Sequence, residues 1–268
     1  MKKSKGKHII KDKDKNKRNI LLLFFSVLLF FSLSYTIYHY YTIWKNDKDM
    51  KELANWVNDN NTIENTENQE IKNKNEGIIE KLNKLKKENN DLIGWLKIED
   101  TNIDYPVVQT NNNNYYVNHN FKKDYSELGT IFLDMDCSIT KPTSNFLIYG
   151  HRNKSDQMFE TLTKYKKEDF YKKHKTFEFS TLEEVGEYKI ISVFQSQIYY
   201  KNQDVFKFYF FKDAKNEEEF NYYIKNIKKL SMYEIEDTAV YGEQLITLTT
   251  CDYHVEDGRF VVVAKKIN

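Results

Sequence analysis

The sequence is poor in cysteine, because Cys137 and Cys251 are the only cysteines in 268 residues. The two thiols could pair, but nothing in the sequence requires it, and two cysteines do not make a disulfide framework. Net charge is also nearly absent, since 41 Lys and Arg against 40 Asp and Glu leave +1. A chain with this balance is not built to attract nucleic acid, which excludes that class of partner.

Metal-binding residues are sparse as well. Cys251, Asp252 and His254 lie close together in the sequence. A structural zinc site needs four protein ligands, and no second Cys/His pair accompanies these three residues. A calcium site would need an acidic cluster near the substrate groove, and none is evident. The sequence therefore predicts neither a metal nor a cofactor.

A long apolar run follows a basic tail at the N-terminus. Residues 1–19 carry nine Lys or Arg and two Asp, whereas residues 20–44 carry no formally charged residue. As a helix, that run is long enough to cross a hydrocarbon core of about 30 Å. Basic flanks stay inside, and aromatic residues such as Tyr40, Tyr41 and Trp44 prefer the membrane surface. We therefore expect a cytoplasmic tail, a single transmembrane anchor and an extracellular remainder.

A cleaved signal peptide is the alternative interpretation of the same run. The run is longer than a typical signal-peptide core and ends in aromatic residues rather than in small residues of a cleavage site. His39 and several serines make its outer half less apolar, so the span could end near Tyr38. An uncleaved anchor fits these features better, and a cleaved signal stays open as the minority alternative.

Beyond the anchor, the composition changes twice. Residues 45–77 are rich in Asn, Lys, Glu and Asp and poor in apolar residues, which predicts a solvated spacer with room for one short helix. From Ile78 onward, apolar residues recur at Leu82 and Leu85 among charged residues, the spacing of an amphipathic helix. We expect this helix to pack on a domain that occupies residues 78–268.

From Leu92 onward the pattern is that of short strands separated by turns. The predicted strands are 95–99, 103–109, 129–134, 145–150, 176–181, 187–198, 206–210, 244–250 and 259–265. Helical segments interrupt them near 156–173 and at 216–230. The second helix presents one apolar face, formed by Phe220, Tyr223, Ile224 and Ile227. Many strands with few helices predict a mainly β domain, either a closed barrel or a sandwich.

The chemistry is expected to centre on Cys251. This residue follows the Thr-rich segment QLITLTT (244–250), which places it at the C-terminal end of a strand or just past it. Reactive thiols suit such partly exposed positions, because the thiolate must reach a substrate. A cysteine nucleophile also needs a base and a positive group for the oxyanion. A lone cysteine at a strand end is more often buried and inert. The residues around Cys251 therefore determine whether it can act as a nucleophile.

Four histidines outside the tail and anchor are candidates for the base. His151 follows the strand segment NFLIYG and therefore also stands at a strand end. His119 and His174 lie in Asn-rich and Lys-rich segments that are typical of the surface. His254 competes with His151 because it is three residues from Cys251, although that spacing usually splays two side chains apart. From the residues alone, both His151 and His254 remain candidates.

Arg259 is the candidate for the positive group. It opens the last predicted strand, eight residues after Cys251. If the two strands are neighbours, the connection returns Arg259 to the side of the cysteine. A guanidinium is always charged and presents a planar set of donors that suits an oxyanion or a carbonyl. An ordinary arginine paired with Glu256 or Asp257 is the alternative.

Taken together, these residues resemble a known family. TLTTC, ending at Cys251 and followed by Arg259 before a run of valines, is similar to the TLxTC signature of sortases. Sortases are membrane-anchored cysteine transpeptidases of Gram-positive bacteria. NFLIYGH, ending at His151, resembles the catalytic-histidine strand of that family. Segments 88–121 and 129–136, with the helix before the cysteine strand, resemble the class B branch in particular.

The resemblance covers roughly residues 78–268 and implies both a fold and a reaction. The fold would be a closed sortase-type β-barrel with an N-terminal helix packed on it and a helix inserted before the cysteine strand. The reaction would cleave a C-terminal Asn-Pro-x-Thr-type sorting motif of secreted proteins through a thioacyl intermediate. The acyl group would pass to an amine of peptidoglycan or of its lipid-linked precursor at the cell membrane.

The resemblance also implies roles for individual residues. Cys251 would be the nucleophile and His151 the general acid and base. Arg259 would position the substrate or stabilise the oxyanion. Thr250 and Thr249, next to the nucleophile, would shape the substrate pocket. No role for Asp252 or His254 carries over, because the segment after the cysteine is a variable loop in such enzymes.

Three other classes share parts of this pattern. An L,D-transpeptidase combines the same residue types but places its arginine very close after the cysteine in a Gly/Ser-rich setting, unlike TTCDYHVEDGR. A papain-like protease has its cysteine before its histidine along the chain. A membrane-tethered β-domain that binds wall or partner proteins is the non-enzymatic alternative, and its structural cysteine would resist a small alkylating agent.

Overall fold

The structure, a computed structural model, describes residues 4–59, 67–153, 156–200 and 202–268. The chain divides into two compact units, the first ending at Lys48 and the second running from Asp49 to Asn268. All predicted active-site residues lie in the second unit, which can therefore be considered by itself.

The first unit contains most of one long helix, α1 (Ser4–Asn58). Its apolar window has 0% of its residues buried, and the side chains from Ile20 to Phe31 are largely exposed. Among the described residues, α1 is the one helix long and apolar enough to cross a membrane. An exposed apolar surface of this kind needs a covering, and it fits the single transmembrane helix predicted from the sequence.

The second unit begins inside the segment 45–77, for which the sequence predicts a polar spacer. The last turns of α1 bury Met50, Ala54 and Val57, which recur at helical spacing. Residues from Asp49 onward therefore belong to the compact unit.

The predicted amphipathic helix is confirmed as α2 (Glu67–Glu88). Ile78, Leu82 and Leu85 are 4%, 0% and 2% exposed, so its apolar face is fully covered. Burying side chains of this size contributes roughly 1.5–3 kcal/mol each, which holds the helix on the domain that follows.

Eight strands then close into a barrel, with the order β1-β2-β3-β4-β7-β8-β6-β5 around it. They are β1 (Leu92–Lys97), β2 (Asp104–Val108), β3 (Phe132–Leu133), β4 (Asn145–Tyr149), β5 (Thr176–Thr181), β6 (Val185–Gln197), β7 (Leu245–Cys251) and β8 (Gly258–Lys266). Most neighbours are antiparallel, but β2 with β3 and β4 with β7 pair in parallel. The prediction of a mainly β closed barrel is confirmed, and the sandwich alternative is wrong.

One predicted strand, FKFYF (206–210), is wrong, because the chain forms a short 3₁₀ helix at Phe208–Phe210. Alternating aromatic residues suggested a strand with one buried face. In the structure Phe208 is 1% exposed, and its ring lies edge-on to that of Phe194 on β6. Phe208 therefore packs against β6 instead of extending the sheet, and Phe210 is exposed.

Two further helices interrupt the strands, as the sequence predicts. α3 (Glu168–Lys173) follows a 3₁₀ helix at Thr161–Lys166, and α4 (Glu217–Leu230) lies between β6 and β7. The side chain of Asn216 caps α4 by accepting a hydrogen bond from the backbone N–H of Glu219 at 2.9 Å. The predicted apolar face of α4 is confirmed, since all four of its members are buried: Phe220, Tyr223, Ile224 and Ile227.

A buried polar relay connects α4 to the two parallel strands. The hydroxyl of Thr247 on β7 donates to Oδ1 of Asn145 on β4 at 2.9 Å, and the hydroxyl of Tyr223 lies 2.9 Å from the same Thr247 oxygen. Because Thr247 donates its only hydrogen to Asn145, Tyr223 is the donor to Thr247. The relay therefore holds the starts of β4 and β7 together beneath α4.

We expect Phe220→Ala to destabilise the barrel by about 3–5 kcal/mol, because it empties a fully buried site on the apolar face of α4. The exposed aromatic Tyr222, two residues away, provides the matched control. We expect Tyr222→Ala to cost less than about 1 kcal/mol. Urea denaturation of residues 49–268, followed by circular dichroism, measures both; equal losses would contradict this packing of α4.

Candidate active site

Three adjacent strands bring the predicted residues to one rim of the barrel. β4 and β7 are parallel, with Tyr149 paired to Thr249, and β8 lies on the other side of β7. On that side Cys251 is paired directly with Arg259. The backbone N–H of Gly150 donates to the carbonyl of Thr249 at 3.2 Å, so His151 follows directly after the last contact between β4 and β7. Strands lie about 4.8 Å apart and paired residues face the same way, so Arg259 lies beside Cys251, and His151 follows the end of the strand on the other side of β7.

Cys251 is the last residue of β7 and is half-buried, whereas Cys137 is buried at 5% exposure. Both thiols are free, so the disulfide that the sequence left open is not formed. Burial raises the pKa of the Cys137 thiol to about 11, and its Sγ donates to the carbonyl of Asn145 at 3.3 Å. Cys137 is therefore a structural residue, and Cys251 is the thiol that a substrate can reach.

The imidazole of His151 is held by a backbone carbonyl. Its Nε2 lies 2.6 Å from the carbonyl oxygen of Val117, which follows two tyrosines in a short 3₁₀ helix. A carbonyl oxygen only accepts, so Nε2 carries a hydrogen, and in the neutral ring Nδ1 is the remaining acceptor. Val117 thus selects the tautomer, a role that nothing in the sequence indicated.

Close packing fixes the backbone next to His151. A Cβ atom on Gly150 would lie 2.6 Å from the ring of Phe159, which leaves no space for any other residue there. The backbone N–H of Phe159 donates to the carbonyl of His151 at 2.9 Å. The turn after β4 therefore folds back on the histidine and restricts its movement.

The guanidinium of Arg259 is likewise oriented by backbone carbonyls. Its Nη1 donates to the carbonyls of Asp257 and Gly258, at 3.1 and 2.9 Å. Within the described part of the chain, no carboxylate forms an ion pair with Arg259, so the pairing with Glu256 or Asp257 side chains that was considered from the sequence is not found. Its positive charge is left uncompensated beside Cys251, where an oxyanion would form.

Thr249 and Thr250 precede the cysteine and are 1% and 2% exposed. Among the described residues, neither hydroxyl oxygen has a hydrogen-bond partner. Buried hydroxyls without partners are uncommon in folded proteins. Thr249 shares the face of Cys251, because side chains alternate along a strand.

An unpredicted cluster of charges lies directly behind the cysteine. The carboxylate of Asp252 is 1% exposed and contacts Arg152 Nη1 at 2.8 Å, Lys166 Nζ at 2.7 Å and His254 Nδ1 at 3.0 Å. Gln195 also donates to it, at 2.5 Å. Burial opposes ionisation, but the hydrogen bonds from Lys166 and Gln195 outweigh it and lower the pKa of Asp252.

The two candidate bases have different partners. Nδ1 of His254 contacts Asp252 in the charge cluster behind the cysteine, whereas Nε2 of His151 lies on the carbonyl of Val117. The signal that could have revealed the cluster is simple: Arg152 and Asp252 each follow one of the predicted catalytic residues by one position. In the described ranges, no group of three His, Cys, Asp or Glu side chains is placed to bind a metal ion.

A barrel that presents a thiol between an imidazole and a guanidinium defines a class of cysteine acyltransferases, and comparison with known proteins identifies which one. The family model described as "Sortase domain" matches residues 96–267. Sortase B of Listeria monocytogenes is 32% identical over 192 residues, which cover 71% of this chain and 75% of that protein. The chain belongs to the sortase family, in its class B, and is a cysteine transpeptidase.

Solved structures agree with this assignment. The Staphylococcus aureus sortase B–substrate complex matches with a TM-score of 0.63 and 25% identity, covering 76% of this chain and 99% of that one. A sortase B complexed with triglycine matches with a TM-score of 0.65 and 28% identity, covering 71% and 87%. The alternatives of an L,D-transpeptidase, a papain-like protease and a non-enzymatic β-domain are thereby set aside.

We expect iodoacetamide at neutral pH to label the folded chain once, at Cys251. Cys137 is buried and its raised pKa leaves almost no thiolate to react. Intact mass followed by peptide mapping locates the label, and Cys137→Ala should take up the same single label. Labelling of Cys137 in the folded chain, or none at Cys251, would contradict the assignment of the two thiols.

Proposed function

We propose that this class B sortase cleaves a C-terminal Asn-Pro-x-Thr-type sorting motif of secreted proteins and transfers them to an amine of peptidoglycan or its lipid-linked precursor. The observation that supports the proposal is the strand order β4-β7-β8, in which Cys251 is paired with Arg259 and His151 follows the end of the strand on the other side of β7. A nucleophile, a proton carrier and a fixed cation on one rim are the groups that acyl transfer through a thioester requires.

In the first step the thiolate of Cys251 attacks the carbonyl carbon of the motif threonine. The carbonyl electrons move to oxygen, and the free donors of Arg259 stabilise that oxyanion. When the oxyanion collapses, the peptide C–N bond breaks and protonated His151 gives a proton to the departing amine. Because Val117 holds Nε2, we assign that proton to Nδ1 of His151. The products are a thioacyl enzyme and the released C-terminal fragment.

In the second step an amino group attacks the thioacyl carbon, and His151 accepts a proton from the attacking nitrogen. The C–S bond then breaks, which restores the Cys251 thiolate and forms a new amide. The substrate-bound Staphylococcus aureus sortase B and the sortase B complexed with triglycine support a peptide acyl donor and an amine acceptor for this chain. Splitting one difficult exchange into two easier steps is the advantage of the covalent nucleophile.

The two threonines before the nucleophile are proposed to shape the substrate pocket. Thr249 lies on the face of Cys251, and its hydroxyl has no hydrogen-bond partner among the described residues. A substrate amide or side chain at the rim would provide one. Thr250 points the other way along the strand, so we propose that it acts by supporting the position of its neighbours.

The membrane topology is proposed from the N-terminal segment. Residues 1–19 would form a cytoplasmic basic tail, and 20–44 a single transmembrane anchor. The catalytic domain would then face the outside of the cell, where secreted proteins and the wall precursor meet. The asymmetry of positive charge supports this orientation.

Substitutions at the three rim residues test the mechanism. We expect Cys251→Ala to abolish the thioacyl adduct and His151→Ala to lower the rate by about 10²- to 10⁴-fold. Arg259→Ala should cost on the order of 3 kcal/mol of transition-state stabilisation. Cleavage of fluorescent Asn-Pro-x-Thr-x peptides measures the rate, and intact mass detects the thioacyl adduct.

Two matched variants serve as controls for these losses. Cys137→Ala removes the buried thiol and His174→Ala removes a histidine at the end of α3, away from the rim. Both should retain the adduct and nearly full cleavage. An active Cys251→Ala enzyme, or an inactive His174→Ala enzyme that is still folded, would refute the assigned roles.

Removal of residues 1–48 tests the role of the anchor. Because the compact unit begins at Asp49, the truncated chain should cleave peptides in vitro at a rate close to that of the full chain. In cells it should no longer attach proteins to the wall, since the anchor that keeps the enzyme at its substrates is missing. Wall attachment by a truncated chain retained in the cytoplasm would contradict the proposed topology.

A further inference from the structure

The proposed proton carrier lies beyond the end of its strand. Among the described residues, the last backbone hydrogen bond between β4 and β7 runs from the N–H of Gly150 to the carbonyl of Thr249, at 3.2 Å. The carbonyl of His151 is used by the turn that follows, through Phe159. In this part of the described chain, no sheet hydrogen bond therefore fixes His151 relative to Cys251.

An ion pair joins the two chain segments one residue further on. Arg152 follows His151, Asp252 follows Cys251, and Nη1 of the arginine lies 2.8 Å from Oδ1 of the aspartate. Because side chains alternate along an extended chain, this pair lies on the opposite face from the thiol and the imidazole. It therefore connects the same two strand ends from behind, without contact with a substrate at the rim.

The arginine is itself held in one place. Its Nε pairs with Glu160 at 3.1 Å, and its guanidinium lies 4.8 Å from the centre of the Tyr253 ring. The side chain is 18% exposed and that of Asp252 is 1% exposed. Charge-assisted hydrogen bonds are stronger and shorter than neutral ones, and low exposure reduces their screening by salt. Arg152 is thus held by three contacts, and its ion pair with Asp252 links the two strand ends.

We propose that Arg152 is a positioning residue, which sets the distance from His151 to Cys251 through its ion pair with Asp252. The proposal rests on the proposed roles of His151 and Cys251. Proton transfer requires the two groups to come within hydrogen-bond reach. A displacement of about 1 Å can cost roughly 10²-fold in rate. An ion pair that fixes the distance from His151 to Cys251 therefore affects catalysis through geometry.

Lys166 provides a matched control for the loss of Arg152. It contacts the same oxygen of Asp252, at 2.7 Å, and is 33% exposed. It comes from the 3₁₀ helix Thr161–Lys166 rather than from the end of β4. Removing either cation leaves the buried carboxylate with one cationic partner fewer, but only loss of Arg152 disconnects the segment that carries His151.

The test compares Arg152→Gln with Lys166→Gln in the full-length chain in detergent. We expect Arg152→Gln to lower kcat for peptide cleavage at least about 10-fold with KM nearly unchanged, and to change the pH profile of kcat. Lys166→Gln should lower the melting temperature comparably but keep kcat within about threefold and the wild-type pH profile. Arg152→Lys, which keeps the charge, should recover part of the loss.

Asp252→Asn should lower kcat like Arg152→Gln, and the double variant should be no worse than either single one, because both remove the same link. Equal kcat in the Arg152→Gln and wild-type enzymes, or equal losses in the Arg152→Gln and Lys166→Gln enzymes, would overturn the inference. If Arg152→Gln does not fold, Arg152→Lys is judged against Lys166→Gln by the same criterion.

Reference variants keep this result separate from the proposed function. Cys251→Ala and His151→Ala are measured beside the Arg152 series. If they are inactive and Arg152→Gln is normal, only the positioning role is overturned. If either of them is fully active, the proposed mechanism is overturned, and the positioning role with it.

Discussion

The parallel pairing of β4 with β7 is the constraint on which the rest of the site depends. Neighbouring parallel strands run in the same direction, so their C-terminal ends, and the residues that follow them, lie at the same rim of the barrel. Here Tyr149 pairs with Thr249, and β8 then brings Arg259 opposite Cys251. Parallel strands cannot be joined by a hairpin, and the connection from β4 to β7 passes through α3, β5, β6 and α4. The long insertion is thus a requirement of the site's geometry.

The two ends of this pairing are reinforced by different kinds of interaction. At the start of the strands, neutral groups form the relay from Tyr223 through Thr247 to Asn145 in a fully buried setting. At the other end, Arg152 pairs with Asp252, whose carboxylate is 1% exposed. A neutral relay avoids the large desolvation cost of buried charges, whereas the buried carboxylate is compensated by charge-assisted hydrogen bonds from Arg152 and Lys166.

Backbone carbonyls orient both the imidazole and the guanidinium at the rim. Val117 holds the imidazole of His151, and the carbonyls of Asp257 and Gly258 hold Arg259. A carbonyl fixes direction but carries no net charge, so it leaves the positive charge of the arginine available for an oxyanion. The carboxylate of Asp252 is instead kept behind the sheet and is neutralised by its own cations. The groups that backbone carbonyls orient thus lie on one face of the strands, and the carboxylate that cations neutralise lies on the other.

The sequence by itself determined the strand segments with alternating or β-branched residues, the apolar face of α4 and the candidates Cys251, His151 and Arg259. These signals are local: they depend on periodicity, on residue type or on a short motif. It indicated neither Val117 as the partner of His151 nor the packing of Phe208 against Phe194, and of the contacts on Asp252 it showed only that Arg152 and Asp252 each follow a predicted site residue. Those features join residues far apart in the chain, and only the closure of the barrel brings them within contact distance. Tertiary structure also gave the two candidate histidines different partners, because the carbonyl of Val117 reaches His151 only in the folded barrel, whereas His254 contacts Asp252.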